Sequence, residues 1–313
     1  MPGMLGERDG KGKENRMIPL EEFLWPTQAG LFHRLRRMYH SEAICCKGKY
    51  LLVQGEAPIL LLAHLDTVHR EPVQVIRKKQ GGNILTSPQG IGGDDRCGVY
   101  ALANIYEQAK QKPWLLFTCD EEIGGVGAEA FADAYRKKRF PKALEDVKML
   151  VELDRKGSRD AVYYGCDNEA FEEYITGKGF QTAFGSFSDI SVIAPVMGVA
   201  AVNLSAGYYH AHTTSEYINR SHIDTVIEQV SGMVAEAPSE GIPRYEYIAC
   251  EYGWGYYPVW GEYEPHAKTP RDLPEKYAEV YDILLDYFTH GELEAYRKAC
   301  GDKVLMELYV SVF

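Results

Sequence analysis

Four apolar runs do most to limit what this chain folds into: ILLLA at 59–63, WLLFT at 114–118, VKMLVEL at 147–153 and VAAVNLS at 199–205. Each is short, rich in aliphatic residues and bounded by turn signals, the pattern of strands buried on both faces of a mostly parallel sheet. Between them, Val99, Leu102, Ala103 and Tyr106 recur at helical spacing and predict a helix over 96–110. Strands alternating with helices in this way make an α/β fold. His64 follows the first run, Glu121 and Glu122 the second, Asp154 the third, and His212 comes after the fourth by way of a short loop. In open α/β sheets ligands bind beyond the carboxyl ends of the strands, so four strand ends bring these side chains to one rim. Asp94 arrives differently, from a glycine-rich turn over 90–93 that opens the predicted helix.

Two imidazoles and three carboxylates are a zinc ligand set, and catalytic zinc keeps one coordination position open. Their number suits two ions sharing one carboxylate, roughly 3.5–4 Å apart as in other paired-metal hydrolases. Asp94, Glu122 and Asp154 bring three negative charges against the four positive charges of two zinc ions, and a bridging hydroxide completes neutrality. Glu121 is left to take a proton from the parent water, a transfer feasible at neutral pH once metal lowers the water pKa to about 7. Read singly, the same residues have plainer uses. Glu121 and Glu122 suit the first turn of a helix, where acids favour the dipole, and Asp94 with Asp95 suits an Asx turn and N-cap. The glycines before Asp94 do not make a phosphate loop, because no Gly-Lys-Ser/Thr follows and two acids repel phosphate. His210 and His212 are not separated by their chemistry. Glu152 shares a strand face with Asp154, which is preferred because it stands at the strand exit. Glu216, four residues after His212, reads equally as a surface acid or as a partner behind a ligand. His69, Arg70, Arg155 and Lys156 lie near the inferred mouth, where cations meet a substrate carboxylate.

Taken in order, the blocks His64-Leu65-Asp66, Asp94-Asp95-Arg96-x-Gly98, Asp120-Glu121-Glu122-Ile123-Gly124, Asp154 and His212-x-x-x-Glu216 resemble the MH clan of co-catalytic zinc exopeptidases. The first, third and last are similar to the peptidase T and aminoacylase branch, the second to the glutamyl and tetrahedral aminopeptidase branch. The resemblance implies a three-layer α/β/α fold with a mixed, mostly parallel central sheet. It implies two Zn²⁺ per chain, with Co²⁺ or Mn²⁺ able to use the same ligands. His64 and Asp154 would hold one ion, Glu122 and His212 the other, and Asp94 would bridge them. Glu121 would be the general base, and Asp66 the carboxylate that fixes the His64 ring, as metal-bound histidines normally require. A cis peptide between Asp94 and Asp95 is also implied. In the aminoacylase branch a lid domain carrying an oxyanion-stabilising histidine enters between the counterparts of Asp154 and His212. Here that interval is 57 residues, read as a helix over 168–176, a glycine-rich turn, the SFSDISVI segment and one strand. Neither a lid nor dimerisation through one is expected, as in the leucyl aminopeptidase branch. Tyr208, Tyr209, His210 and Arg155 become the candidates for contacting the substrate or its oxyanion.

At 313 residues with 45% apolar content, the chain is long enough to bury a full core, and no stretch is apolar enough to cross a bilayer. A net charge of −11 without a basic stripe speaks against nucleic-acid binding. Cysteines at 45, 46, 97, 119, 166, 250 and 300 lack metal spacing, and their odd number argues against a disulfide framework. A reduced cytoplasm is the expected compartment. Residues 1–16 are polar and mixed in charge, the composition of a disordered segment and not of a signal peptide, and a catalytic domain is expected over 17–238. Residues 239–313 carry 14 acids against 7 bases and 11 of the 22 tyrosines. Within them, 243–270 is too aromatic and glycine-rich for a helix and too apolar for a linker, so an irregular arm across the catalytic domain is expected. Helices over 274–288 and 291–300 follow, with Tyr277, Val280, Tyr281, Leu284 and Leu285 as an amphipathic stripe. The expected activity is hydrolysis of a terminal amide or peptide bond by attack of a metal-bridging hydroxide, as in an aminopeptidase acting on a small peptide. An N-acyl amino-acid deacylase, dipeptidase or carboxypeptidase shares those metals, and a catalytically silent binding relative is the reading of another class. Self-association into a homo-oligomer by another surface is compatible with all of them.

Overall fold

The computed structural model describes residues 18–69, 71–183, 185, 187–249, 270, 273, 275–285, 288, 290–302, 304, 305, 308 and 309. The expected disordered start, Arg70 and the arm's residues 250–269 lie outside the described residues. In chain order the elements are α1 (Glu21–Leu24), α2 (Gln28–Met38), β1 (Ala43–Cys46), β2 (Tyr50–Val53), β3 (Ala57–His64), β4 (Arg77–Lys79), β5 (Ile84–Thr86), α3 (Gly93–Gln108), β6 (Pro113–Thr118), α4 (Val126–Arg136) and β7 (Met149–Arg155). They continue with β8 (Asp160–Val162), α5 (Glu169–Thr176), β9 (Gln181–Thr182), α6 (Asp189–Met197), β10 (Ala201–Ser205), β11 (Tyr208–Tyr209), β12 (Tyr217–Asn219), α7 (Arg220–Glu236), α8 (Glu275–Leu284) and α9 (His290–Cys300).

The main sheet runs β1-β2-β6-β3-β7-β10-β8-β9. Its four central strands, β6, β3, β7 and β10, are the four apolar runs, and they are mutually parallel. Antiparallel pairings flank them through β1, β2 and β8. Because successive strand residues point to opposite faces, the runs feed two cores. Leu61, Ala63, Leu115, Phe117, Val151 and Leu153 pack with Leu31 and Leu35 of α2, Val99 and Leu102 of α3, Phe171 of α5 and Val226 and Val230 of α7. Leu60, Leu62, Leu116 and Leu150 pack on the other side with Phe131 of α4 and Ile190 and Ile193 of α6. This is the three-layer α/β/α arrangement, and it explains why the runs are apolar without alternation. Each such buried side chain contributes about 1.5–3 kcal/mol.

The predicted helix over 96–110 starts earlier, at Gly93, although Asp94 and Asp95 within it are not helical, and it stops at Gln108 because Ala109 turns to an extended conformation. Between Asp154 and His212 the structure adds β8, β9 and β11 to the predicted strand, each two or three residues long, too short for a periodic pattern to show. SFSDISVI leads into α6. A second sheet, β11-β12-β5-β4, is antiparallel. Its β11–β12 hairpin carries residues 210–216, and β5 leads into the glycine-rich turn.

The described residues fall into two compact units, one within Met1–Ala183 and Ser188–Ala249, the other within Phe184–Phe187 and Cys250–Phe313. In the second, Tyr277, Val280, Tyr281 and Leu284 of α8 form their own core with Leu273, Leu293 and Leu305, with Leu285 packed against it. The Tyr281 hydroxyl lies 2.7 Å from His290 Nδ1 and donates to Glu294 Oε1 at 3.1 Å. Among the described residues no helix is long and apolar enough to cross a membrane.

Candidate metal centre

His64 ends β3 and Asp154 lies near the end of the neighbouring β7, so parallel pairing alone sets them side by side. His64 Nε2 lies 3.3 Å from Asp154 Oδ1 and 3.1 Å from Asp94 Oδ1. The other oxygen of Asp94 turns away: Oδ2 lies 3.1 Å from His212 Nε2, which is itself 3.2 Å from Glu122 Oε2. Asp94 thus stands between two His–carboxylate groups, His64/Asp94/Asp154 and Asp94/Glu122/His212, whose ligand atoms lie within 4.8 Å of one another. The peptide between Asp94 and Asp95 is cis, and His212 and Asp120 hold left-handed φ values of 64° and 61°, a conformation that non-glycine residues adopt sparingly and that concentrates at functional sites.

Further residues hold these side chains. Asp66 Oδ1 lies 3.3 Å from His64 Nδ1, and its two oxygens accept the backbone N–H groups of Glu121 and Glu122, each at 3.1 Å. One carboxylate therefore steadies the first histidine and the turn after β6. Gln28 clamps the same turn, donating to Asp120 Oδ1 at 2.8 Å and accepting the Asp120 N–H at 3.0 Å. Asp95 accepts from His64 N at 3.3 Å and Gly98 N at 2.9 Å.

A comparison of the sequence with known families matches peptidase family M28 over residues 50–234. The chain belongs to peptidase family M28. It is accordingly a zinc metallopeptidase. No curated protein matches it. Solved structures similar to this M28 chain include a tripeptidase from Staphylococcus aureus, 13% identical, TM-score 0.53, covering 71% of this chain and 99% of that one. The aminopeptidase PepT from Bacillus cereus is 15% identical, TM-score 0.51, covering 72% and 100%. A TET aminopeptidase from a marine-sediment Thaumarchaeota archaeon is 12% identical, TM-score 0.55, covering 71% and 98%. At these identities the likeness is one of fold.

The M28 site fits zinc by its own chemistry. Its donors are imidazole nitrogens and carboxylate oxygens, and Glu122 Oε1 is buried without a hydrogen-bond partner. Burial pushes the Asp154 carboxyl up to about 7, with Asp94 adding to the rise. Burial likewise takes Glu121 up to about 10, with Asp154, Asp189 and Glu122 contributing. Asp94 moves the other way: burial opposes its charge, but contacts with His212 and His64 hold it well below the usual carboxylate range. His212 is raised to about 11 through Asp94 and Glu122. His64 rises well above its ordinary value through Asp154, Asp66 and Asp94 although its burial works against that. Carboxylates this crowded and this buried call for cations.

The other predicted residues of the M28 chain are placed differently. Tyr208 is buried, and its hydroxyl donates to Asp154 Oδ1 at 3.2 Å. Tyr209 stacks on Tyr217 and its hydroxyl meets His222 Nδ1 at 2.5 Å. His210 is exposed, edge-on to the Tyr217 ring, and Arg155 Nε lies 3.9 Å from Asp160. Glu152 is buried in contact with the Ser188 hydroxyl and is a member of neither His–carboxylate group. Two holding residues escaped the sequence reading. Asn203 bonds the backbone of Asp154 in both directions, and its trace is a polar residue inside an apolar run. Gln28 left none. Beside Glu122 opens a cavity of about 510 Å³, lined among others by Gln28, Asp66, His69, Glu71, Arg96 and Asp120.

Proposed function

We propose that this M28 peptidase is an aminopeptidase-like exopeptidase that acts on short peptides with two zinc ions. The observation that supports this most directly is the double reach of Asp94, one oxygen to each histidine. In this reading His64, Asp154 and Asp94 hold one ion, and Asp94, Glu122 and His212 the other. Zinc supplies, when bound, Lewis acidity that polarises the scissile carbonyl and lowers the pKa of water to about 7. Asp66 keeps the His64 ring and the 121–122 turn in register. Glu121 is the general base, taking a proton from the attacking water and passing it to the leaving amine.

The cavity favours recognition of an amino terminus. Of the acids in its lining, Asp66 is held by the 121–122 turn and Glu122 is assigned to zinc, which leaves Glu71 and Asp120 to attract an ammonium group, while the Arg96 guanidinium is engaged by the carbonyls of Phe23 and Pro26 at 2.8 and 3.0 Å. The match over 50–234 lies inside the 17–238 span assigned to the catalytic domain. The 57 residues between Asp154 and His212 supply strands and helices of the main layers, in keeping with a lidless enzyme. Metal analysis with a paired assay on aminoacyl anilides and N-acyl amino acids tests the proposal. Two zinc ions per chain and cleavage of the anilides alone are expected; cleavage of the N-acyl compounds alone overturns the aminopeptidase reading.

A further inference from the structure

Glu216, four residues beyond His212, is 1% exposed. Its Oε1 accepts the N–H of Asp94 at 3.0 Å and its Oε2 the N–H of Gly92 at 2.8 Å. Oε2 also lies 3.0 Å from Nε2 of His69, which lines the cavity. These contacts tie together three segments: the one after His64, the turn that delivers Asp94, and the hairpin loop that carries His212. The second sheet explains the meeting. Tyr217 of β12 pairs with Thr86 of β5, so the residue just before β12 comes beside the chain leaving β5 for Asp94. Glycines allow the approach: a Cβ on Gly93 would sit 2.7 Å from Tyr208 Cβ and 3.2 Å from Glu216 Oε1, and one on Gly90 would fall 2.0 Å from the His69 ring.

We infer that Glu216 is a positioning residue for the metal bridge, fixing Asp94 relative to His212 and so the distance between the two ions; the inference rests on the two-zinc reading above. A buried carboxylate must be bonded to be tolerated, and this one spends both oxygens on the turn that presents Asp94. Asn203 and Tyr208, by contrast, hold Asp154, a ligand of one ion. Loss of Glu216 should therefore weaken both zinc-binding steps together, whereas loss of Asn203 should weaken one.

The test is competition between the full-length protein and a chromophoric chelator for zinc, in wild type, Glu216→Gln, Glu216→Asp and Asn203→Ala, with thermal unfolding of each metal-free chain measured in parallel. Glutamine offers one acceptor oxygen, so one of the two N–H groups loses its partner, and aspartate is too short to span both. Both zinc steps should weaken by about 10–100-fold in the Glu216 variants, beyond any shift in metal-free unfolding, and the cobalt-substituted variants should show an altered absorption spectrum. Unchanged zinc steps, or a loss confined to one step, overturn the inference. Should Glu216→Gln not fold, Glu216→Asp gives the same reading. Wild-type protein that takes up fewer than two ions sinks the two-zinc reading itself, a result visible before any variant is compared.

Discussion

Asn203 grips Asp154 from both sides: its Oδ1 accepts the Asp154 N–H at 2.8 Å, and its Nδ2 donates to the Asp154 carbonyl at 3.0 Å. The pair sits where β10 and β7 lose their regular register, between Asn203 and Ser205. A side chain there replaces the missing ladder bonds and keeps the strand end, with its carboxylate, against His64. Asn203→Ala should cost about 1–3 kcal/mol for each buried backbone group left unpaired and weaken zinc binding at the site proposed for His64 and Asp154. Denaturant unfolding and zinc titration read the two effects separately, and unchanged zinc binding would remove the positioning role.

Glu121→Gln keeps the shape of the turn after β6 but cannot carry a proton. Turnover of an aminoacyl anilide should fall by about 10²–10⁴-fold, while zinc stoichiometry stays at the wild-type value. A variant that loses zinc along with activity would place Glu121 among the ligands instead. Wild type inactive on every peptide despite bound zinc would favour the silent relative.

Removing metal should abolish hydrolysis reversibly, and the stability of the fold should follow the metal. Ligand present at about 100 times its dissociation constant stabilises a native state by about 2.7 kcal/mol. Zinc added to chelator-treated protein should therefore raise the unfolding midpoint and restore activity in parallel. Activity that survives exhaustive chelation would contradict zinc dependence in catalysis.

Gly98 lets α3 lie close against β7. A Cβ there would lie 2.0 Å from the Leu153 carbonyl oxygen and 2.5 Å from the Asp95 carboxylate, so Gly98→Ala must push the helix off the strand. Overpacking of this kind costs about 1–3 kcal/mol, and the displaced helix start carries Asp94 with it. A lower unfolding midpoint together with weaker zinc binding is the expected result; wild-type values for both would mean that the helix yields without disturbing the site.

What was legible in the sequence was local. Unbroken apolar runs mark strands covered on both faces, and the residues ending them are carried to one rim by strand direction alone, so the sequence itself points to His64, Glu122 and Asp154 as neighbours. Short elements escaped for the same reason: β8 and β9 are too brief for a pattern, and the start of α3 is set by Gly93 and two non-helical aspartates.

By itself the sequence determined the α/β architecture, the order of the chemical blocks and the donor types that suit zinc, because hydrophobic period and motif spacing act over a few residues. Tertiary structure alone decided that Asp94 turns one oxygen to each histidine, that Tyr208 is spent on Asp154, and that Glu216 is a buried anchor and not a surface acid. Those contacts join segments 30 to 147 residues apart, and directional bonds over such separations leave no periodic trace; they exist only once the two sheets have brought their loops together.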